Sequence, residues 1–155
     1  MLTHYFSRPP VLHRAKFSAF VVDVRNMMAA LPPEIVIKGR DGFGEPEVDS
    51  GAVAFNGDAA QRTDHESLII EQTYTLRPPS RMRDGAFHDF CKAAGKPYDV
   101  LVVATLYTLI HRFPQCSFTT DAGEDELRDG FDLFTRVVKT GDDADALFVR
   151  PLRKS

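Results

Sequence analysis

The chain has 155 residues, of which 43% are hydrophobic and 26% charged, and its formal net charge is −3. This length corresponds to about one domain with its own hydrophobic core, and the balance of residue types is that of an ordinary globular protein. The slight acidity argues against nonspecific nucleic-acid binding, for which a basic surface is typical. We expect a single globular domain over residues 1–155, with residues 1–10 as a candidate flexible segment.

Cysteine usage and hydropathy indicate a soluble intracellular protein. Cys91 and Cys116 are isolated and lack the spacing of a metal or redox motif, so we expect reduced thiols in the cytoplasm. The N-terminal region has no continuous apolar core of the kind that a signal peptide needs. The apolar run at 100–110 has 11 residues, too few to span a bilayer, so no membrane segment is expected.

The first third of the chain predicts one helix, one strand and one loop. Apolar residues at three- and four-residue spacing predict a helix over 11–31, which the prolines at 32–33 end. The short run EIVIK at 34–38 predicts a strand. Residues 39–51 are rich in Gly, Asp, Glu and Pro and predict a mobile loop, without the glycine pattern of a phosphate-binding loop.

Two further strands should form an antiparallel pair. Residues 52–55 predict the first, which ends at the turn signal Asn56-Gly57, and residues 67–76 predict the second. Alternation in the second strand places apolar side chains on one face, which we expect to pack against a central helix. The residues expected to meet there are Ile70, Tyr74 and Leu76 from the strand and Val103, Leu106 and Leu109 from the helix.

Two successive helices are predicted at the centre of the fold. The first runs from an N-cap at Asp84 to about Gly95. It carries one apolar stripe of Phe87, Phe90, Cys91 and Ala94. The second helix, at 100–113, is capped by Asp99 and is apolar almost all round, so other elements must cover it on every side. Its valines leave a strand open as the alternative at 100–104.

The C-terminal third predicts a strand, a helix and an edge strand. Residues 116–120 predict the strand, and Asp121 with Glu124 fits the capping box of a helix that ends at Gly141. Residues 146–149 predict the edge strand. The helix has a regular apolar stripe of Leu127, Phe131, Phe134 and Val138. The predicted fold class is α+β: a small, mainly antiparallel sheet packed against three to four helices, with one central helix apolar all round.

One face of the first central helix carries the best candidates for acid–base chemistry. His88, Asp89 and Lys92 would lie together there, since residues three and four apart are neighbours on a helix. Glu66, beside His65 at the start of a strand, is a further candidate carboxylate. The favoured interpretation is structural: an exposed helix face with an Asp89–Lys92 ion pair, and a solvated loop end at Glu66.

A basic block after the long strand is the candidate anion-binding set. It comprises Arg81, Arg83, Lys92 and Lys96. Such a block either binds an anionic ligand or neutralises neighbouring acidic surfaces, and we favour the second interpretation. No metal site is predicted, because the five histidines form no His-x-x-x-His pair and neither cysteine has a partner at ligand spacing. No cofactor is predicted, and Cys91 on its apolar stripe is expected to be an inert thiol.

A local motif resembles a known group of proteins. The run Phe90-Cys91-Lys92-Ala93-Ala94-Gly95-Lys96-Pro97-Tyr98-Asp99, with Phe55-Asn56-Gly57 and Glu66 upstream, resembles small uncharacterised proteins from bacteria and their phages. Those proteins carry Thr where this chain has Ala93, and a compact Ser-Asp-Gly where it has Thr120-Asp121-Ala122-Gly123. The resemblance covers roughly the second two-thirds of the chain and implies a bacterial or phage setting without a known activity.

These observations favour a binding protein over an enzyme. We predict a small intracellular accessory or macromolecule-binding protein with a protein partner, which Phe43 and Glu45 in the loop at 39–51 are candidates to contact. The alternative is an enzyme or an anion-binding domain that acts on a phosphorylated small molecule or a nucleic acid through the basic block. An active site would need several of these groups in one pocket. An exposed edge strand would also allow a homodimer.

Overall fold

The computed structural model describes residues 2–76, 81–138, 140 and 144–152. It is an α+β fold, and these residues form four helices and two antiparallel sheets. The helices are α1 (Arg14–Ala29), α2 (Asp99–Arg112), α3 (Glu124–Val137) and α4 (Ala144–Val149). The strands are β1 (His4–Arg8), β2 (Glu47–Val48), β3 (Ala52–Phe55), β4 (Leu68–Glu71), β5 (Arg81–Arg83), β6 (Ala86–Cys91) and β7 (Ser117–Thr120). Within the described ranges, no helix has the length and apolar character needed to cross a bilayer.

The strands form two sheets of different size. The larger sheet has the order β5-β6-β1-β7, with His4 of β1 opposite Cys91 on one side and Thr120 on the other. The smaller sheet has the order β2-β3-β4. In the larger sheet, the face that carries His4 and Phe6 is buried against the helices, and we name it the inner face. The opposite, outer face carries Tyr5.

Helix α2 lies at the centre of the core. Every residue at 101–110 is buried, as its all-round apolar sequence requires. Helix α3 packs against it so closely that a Cβ atom on Gly130 would lie 2.5 Å from the Cβ of Val103. The ring of Tyr107 on α2 contacts Phe118 of β7 edge-on, which joins the helix layer to the larger sheet.

A fully buried arginine joins the two sheets. Arg8, at the end of β1, donates hydrogen bonds to the carbonyl oxygens of Glu71 and Gln72, at the end of β4. It also donates to the carbonyls of Pro9 and Pro10. A buried charge is tolerated only with such partners, so Arg8 fixes the position of the β4 end relative to the larger sheet.

Most of the elements with clear periodicity were predicted correctly. Helix α1 lies within the predicted 11–31, and α2 matches 100–113 as a helix rather than a strand. The strand predicted at 52–55 is β3, and the one at 67–76 contains β4, which pairs with β3 in the expected antiparallel sense. The strand predicted at 116–120 is β7. The whole predicted stripe of α3 is buried.

The helix predicted from Asp84 to Gly95 is wrong. Strands β5 and β6 form a hairpin there, joined by Asp84-Gly85. Both turn residues have positive φ, 53° and 77°, as in a type I′ turn, which Asp-Gly favours. The apolar residues that match a helical stripe therefore divide between two sheet faces. Ala86, His88 and Phe90 lie on the outer face, and Phe87, Asp89 and Cys91 lie on the inner face.

Three shorter expectations are also corrected. Residues 34–38 form no strand, because the chain turns after the prolines and only Lys38 makes an isolated bridge, to Asn56. Residues 146–149 belong to helix α4 instead of an edge strand. Leu76 is 66% exposed, since it lies beyond the paired residues of β4 and so misses the predicted contact with the central helix.

The start of α3 also differs from the prediction. The helix begins at Glu124 after an N-cap at Gly123, and the Glu126 carboxylate accepts the backbone N–H of Gly123. The capping box predicted at Asp121 and Glu124 is therefore wrong: the N-cap lies two residues later, and since Gly123 has no side chain to accept a hydrogen bond, only the contact from Glu126 forms. The helix end predicted at Gly141 lies outside the described residues.

We expect Arg8→Met to lower the free energy of unfolding by about 3 kcal/mol or more, because several buried carbonyl groups lose their donor. Arg25→Met is the matched control, since the exposed Arg25 side chain also donates to a backbone carbonyl, that of Val48. Its loss should cost about 1 kcal/mol or less. Urea denaturation measures both variants, and equal losses would contradict the role assigned to Arg8.

Candidate functional site

A groove opens between the first turn of α2, one side of α3 and the segment that follows α1. Its volume is about 570 Å³. Its apolar lining comes from Leu2, Leu31, Pro32, Ile35, Pro97, Val100 and Leu133. Its charged lining comes from Lys96, Asp99, Glu126, Asp129, Asp132 and Arg136. We name this feature the acidic groove, because four carboxylates accompany two cations.

Helix α3 supplies three of the four carboxylates. Its buried stripe faces α2, and Glu126, Asp129 and Asp132, spaced three residues apart, form an exposed row on its other side. A Cβ atom on Gly130 would lie 3.0 Å from the carbonyl oxygen of Val100, so glycine lets α3 approach the first turn of α2. This close approach places the row along one edge of the groove.

A buried histidine holds the fourth carboxylate, that of Asp99. His4 Nε2 lies 2.7 Å from Asp99 Oδ1, and His4 Nδ1 lies 2.8 Å from Thr120 Oγ1, which accepts the N–H of Ala122. Both ring nitrogens of His4 are therefore hydrogen-bonded, and Nε2 donates to the Asp99 carboxylate, which accepts only. The N-cap residue of α2 is Tyr98 and not Asp99 as predicted, and Asp99 is the first residue of the helix.

This chain of groups resembles a hydroxyl–histidine–carboxylate triad but is not placed to act as one. His4 is 0% exposed and Thr120 is 1% exposed, so a substrate atom has no access to either. The Asp99 side chain is 13% exposed and lines the groove. The groove therefore presents negative charge beside apolar side chains. This combination suits binding of a cation or of a basic amphipathic group.

The predicted acid–base set does not converge. His88 is exposed on the outer face of the larger sheet, whereas Asp89 lies on the inner face, since neighbours in a strand alternate. Lys92 follows β6, with its Nζ 5.6 Å from the ring centroid of Phe90. The Glu66 carboxylate accepts the backbone N–H of Lys92 at 2.9 Å and so ties a loop to the end of β6.

The predicted anion-binding set is divided between two places. Arg83, exposed in β5, and Lys92 belong to the larger sheet. Lys96 instead lines the acidic groove, and its Nζ donates to a backbone carbonyl. The backbone of Arg81 pairs with that of His88 in β6, and its side chain lies outside the described part of the chain.

Several residues of the motif at 90–99, and Asn56 upstream of it, have architectural contacts. The Cys91 thiol and the Tyr98 hydroxyl both donate to the backbone carbonyl of Glu66. The side-chain amide of Asn56 donates to the carbonyl of His65 and accepts its N–H. These bonds hold the loop before β4 against β6 and the start of α2, so they account for these motif residues without an active site.

The loop at 39–51 presents an exposed aromatic ring. Phe43 is 68% exposed, and Glu45 is exposed beside it. The turn that carries Phe43 is closed by a 3.0 Å hydrogen bond from the N–H of Gly39 to the carbonyl of Gly44. The loop predicted to contact a partner therefore has a defined backbone conformation, and the Phe43 side chain is open to solvent.

Sequence reasoning missed the residues that shape the acidic groove. Asp129 and Asp132 had a readable signal, because their spacing places them opposite the buried stripe of α3. His4 had none, since its partners Asp99 and Thr120 are 95 and 116 residues away along the chain. Only the folded sheet brings these three together.

Neither metal-site geometry nor similarity to known proteins points to an activity. In the described residues, no group of three or more His, Cys, Asp or Glu side chains is placed to hold a metal ion. The chain matches no protein-family model, no curated protein and no solved structure. The geometry and charge of the groove are therefore the observations that bear on function.

Both cysteine thiols are hard to ionise. Burial raises the pKa of Cys91 well above its ordinary value, and nearby carboxylates, led by that of Asp99, add to the shift. Burial raises the pKa of Cys116 to about 12, although the charge of Arg8 opposes it. Because the thiolate is the nucleophilic form, neither cysteine is suited to covalent catalysis.

We expect iodoacetamide to leave Cys91 and Cys116 unmodified in the native protein at about pH 8 and to label both after unfolding. Between about pH 9 and 10, thiols ionise in the unfolded chain while native thiols stay protonated. The unfolded state then binds fewer protons, so stability falls with rising pH by up to about 1.4 kcal/mol per pH unit for each thiol. The C91A/C116A variant should lack the thiol share of this decrease and keep only the share of the Tyr98 and Tyr107 hydroxyls, whose pKa values burial also raises. Rapid native labelling of either thiol would contradict the assignment.

Proposed function

We propose that this protein is a small macromolecule-binding protein whose acidic groove takes a basic, amphipathic segment of a partner protein. The observation that carries the proposal is the groove itself, in which an apolar floor lies beside a row of carboxylates. A cytoplasmic location and a bacterial or phage origin belong to the same proposal, as predictions from the sequence alone.

The size and floor of the groove suit a polypeptide segment. Its volume of about 570 Å³ falls within the range of roughly 300–1,000 Å³ that is typical of ligand sites. Leu31, Ile35 and Val100 line it and are partly exposed. Covering these side chains would gain about 25 cal/mol per Å² of apolar surface, which favours an aliphatic residue on the partner.

The charges at the rim favour a basic partner. Glu126, Asp129 and Asp132 recur at nearly one helical turn, so lysine or arginine residues at a similar spacing on a partner would meet them. Asp99 adds a fourth carboxylate whose position His4 fixes. The same charges would repel an acidic segment, which gives the groove a basis for selection.

The enzyme alternative has weaker support in the described residues. His88 and Asp89 lie on opposite faces of a sheet, and His4 is closed off from solvent. The anion-binding alternative keeps one observation in its favour, because Arg83 and Lys92 lie on the larger sheet together with His88.

We expect the double variant Asp129→Lys, Asp132→Lys to weaken binding of a fluorescein-labelled amphipathic lysine–leucine peptide at least about tenfold, because attraction becomes repulsion at the groove rim. Fluorescence anisotropy gives the dissociation constants. The matched control is Asp125→Lys with Glu124→Lys, which changes the net charge equally at exposed positions outside the groove lining and outside the loop at 39–51. This control should bind the peptide nearly as well as the wild type.

Three outcomes would count against the groove. A purely apolar contact would bind peptides of either charge, so equal binding of a glutamate–leucine peptide by the wild type would contradict the assignment. Equal loss in the two charge-reversed variants would show that net charge holds the peptide. Loss of binding in Phe43→Ser, at an unchanged melting temperature, would move the contact to the loop at 39–51.

A further inference from the structure

The outer face of the larger sheet is a second surface, separate from the acidic groove. The inner-face residues of β1 belong to the core, so alternation assigns the intervening residues to the outer face. That face includes Tyr5, Ser7, Arg83, His88, Phe90 and Ser117. Ser7 is buried and hydrogen-bonds with Ser117, and the others are partly or fully exposed.

Aromatic and cationic side chains share the centre of this face. Tyr5 and Phe90 are direct partners in the register of the two central strands. The Lys92 Nζ lies 5.6 Å from the centroid of the Phe90 ring, which is a cation–π geometry. Arg83 adds a second cation on β5, and His88 adds an exposed imidazole on β6.

Carboxylates are segregated from this face. The strands of the larger sheet contain one acidic residue, Asp89, and it lies on the inner face. Acidic groups lie at the rim: Asp121 accepts the hydroxyl of Tyr5 at 3.3 Å, Glu66 accepts the backbone N–H of Lys92, and Asp84 lies in the turn between β5 and β6. In a chain with 22 acidic and 19 basic residues, this separation gives the face a local charge opposite to that of the whole protein.

We propose that the outer face binds a short single-stranded nucleic acid. Unpaired bases stack on aromatic side chains of an open sheet, and their phosphates take adjacent cations. Phe90 and Tyr5 supply the stacking surface, Lys92 and Arg83 supply the cations, and the exposed His88 imidazole is available for hydrogen bonds. A duplex is disfavoured because its bases are already stacked on one another and so cannot lie on the aromatic rings.

Fluorescence anisotropy with labelled oligothymidylate and oligouridylate tests this proposal. We expect the wild type to bind at low salt, with an affinity that falls as salt rises. Phe90→Leu keeps an apolar side chain but removes the ring, and it should weaken binding at least about fivefold. Phe90→Tyr keeps the ring and should bind like the wild type, and Lys92→Gln should reduce the salt dependence.

Three results would overturn the proposal. The first two are no binding of either oligonucleotide by the wild type at low salt, and equal affinities of the wild type and a folded Phe90→Leu variant. Competition by a duplex as effective as that by the single strand would also overturn it. The groove variant Asp129→Lys, Asp132→Lys should bind oligonucleotides no more weakly than the wild type. Loss of oligonucleotide binding in the Phe90→Leu variant alone would therefore concern the outer face, and loss of peptide binding in the groove variant alone would concern the groove.

Discussion

Helix α2 must be covered on every side, and most of the architecture follows from that constraint. Helices α1, α3 and α4 and strand β7 all contact it, and its residues 101–110 are buried. The closest contact is at Gly130, where α3 lies against Val100 and Val103. That contact sets the exposed row of α3 beside the first turn of α2. The packing of α3 against α2 therefore creates the acidic groove. The charge of the groove comes from side chains of α3 that lie outside the core.

Buried polar side chains hold the remaining parts around this core. Arg8 joins the two sheets, His4 links β1 to β7 and α2, and Tyr98 with Asn56 holds the loop before β4. Each makes hydrogen bonds that compensate for its burial, as buried polar groups must. The chain thus uses its buried histidine and both of its thiols for structure or packing. Both of our proposals therefore rest on exposed side chains, those of the acidic groove and those of the outer face of the larger sheet.

The sequence predicted what local periodicity determines and missed what distant residues determine. The stripe of α3 and the all-round apolar character of α2 identified both helices. The residues around Phe87, Phe90 and Cys91 fit a helical stripe as well as a strand, and only the dipeptide Asp84-Gly85 distinguished the hairpin. The error carried over to the candidate site, since the predicted acid–base set depended on that helix. The carboxylate row of α3 was readable from spacing, whereas the contact between His4 and Asp99 depends on tertiary structure.

The most direct test of the central claim, that the acidic groove is the protein-binding surface, is chemical-shift mapping by NMR. The ¹⁵N-labelled protein would be titrated with the amphipathic lysine–leucine peptide while its backbone amide signals are followed. Our account predicts that the largest changes occur at groove residues such as Leu31, Val100 and Leu133. Largest changes around Phe43 or Phe90, with the groove signals unmoved, would contradict it.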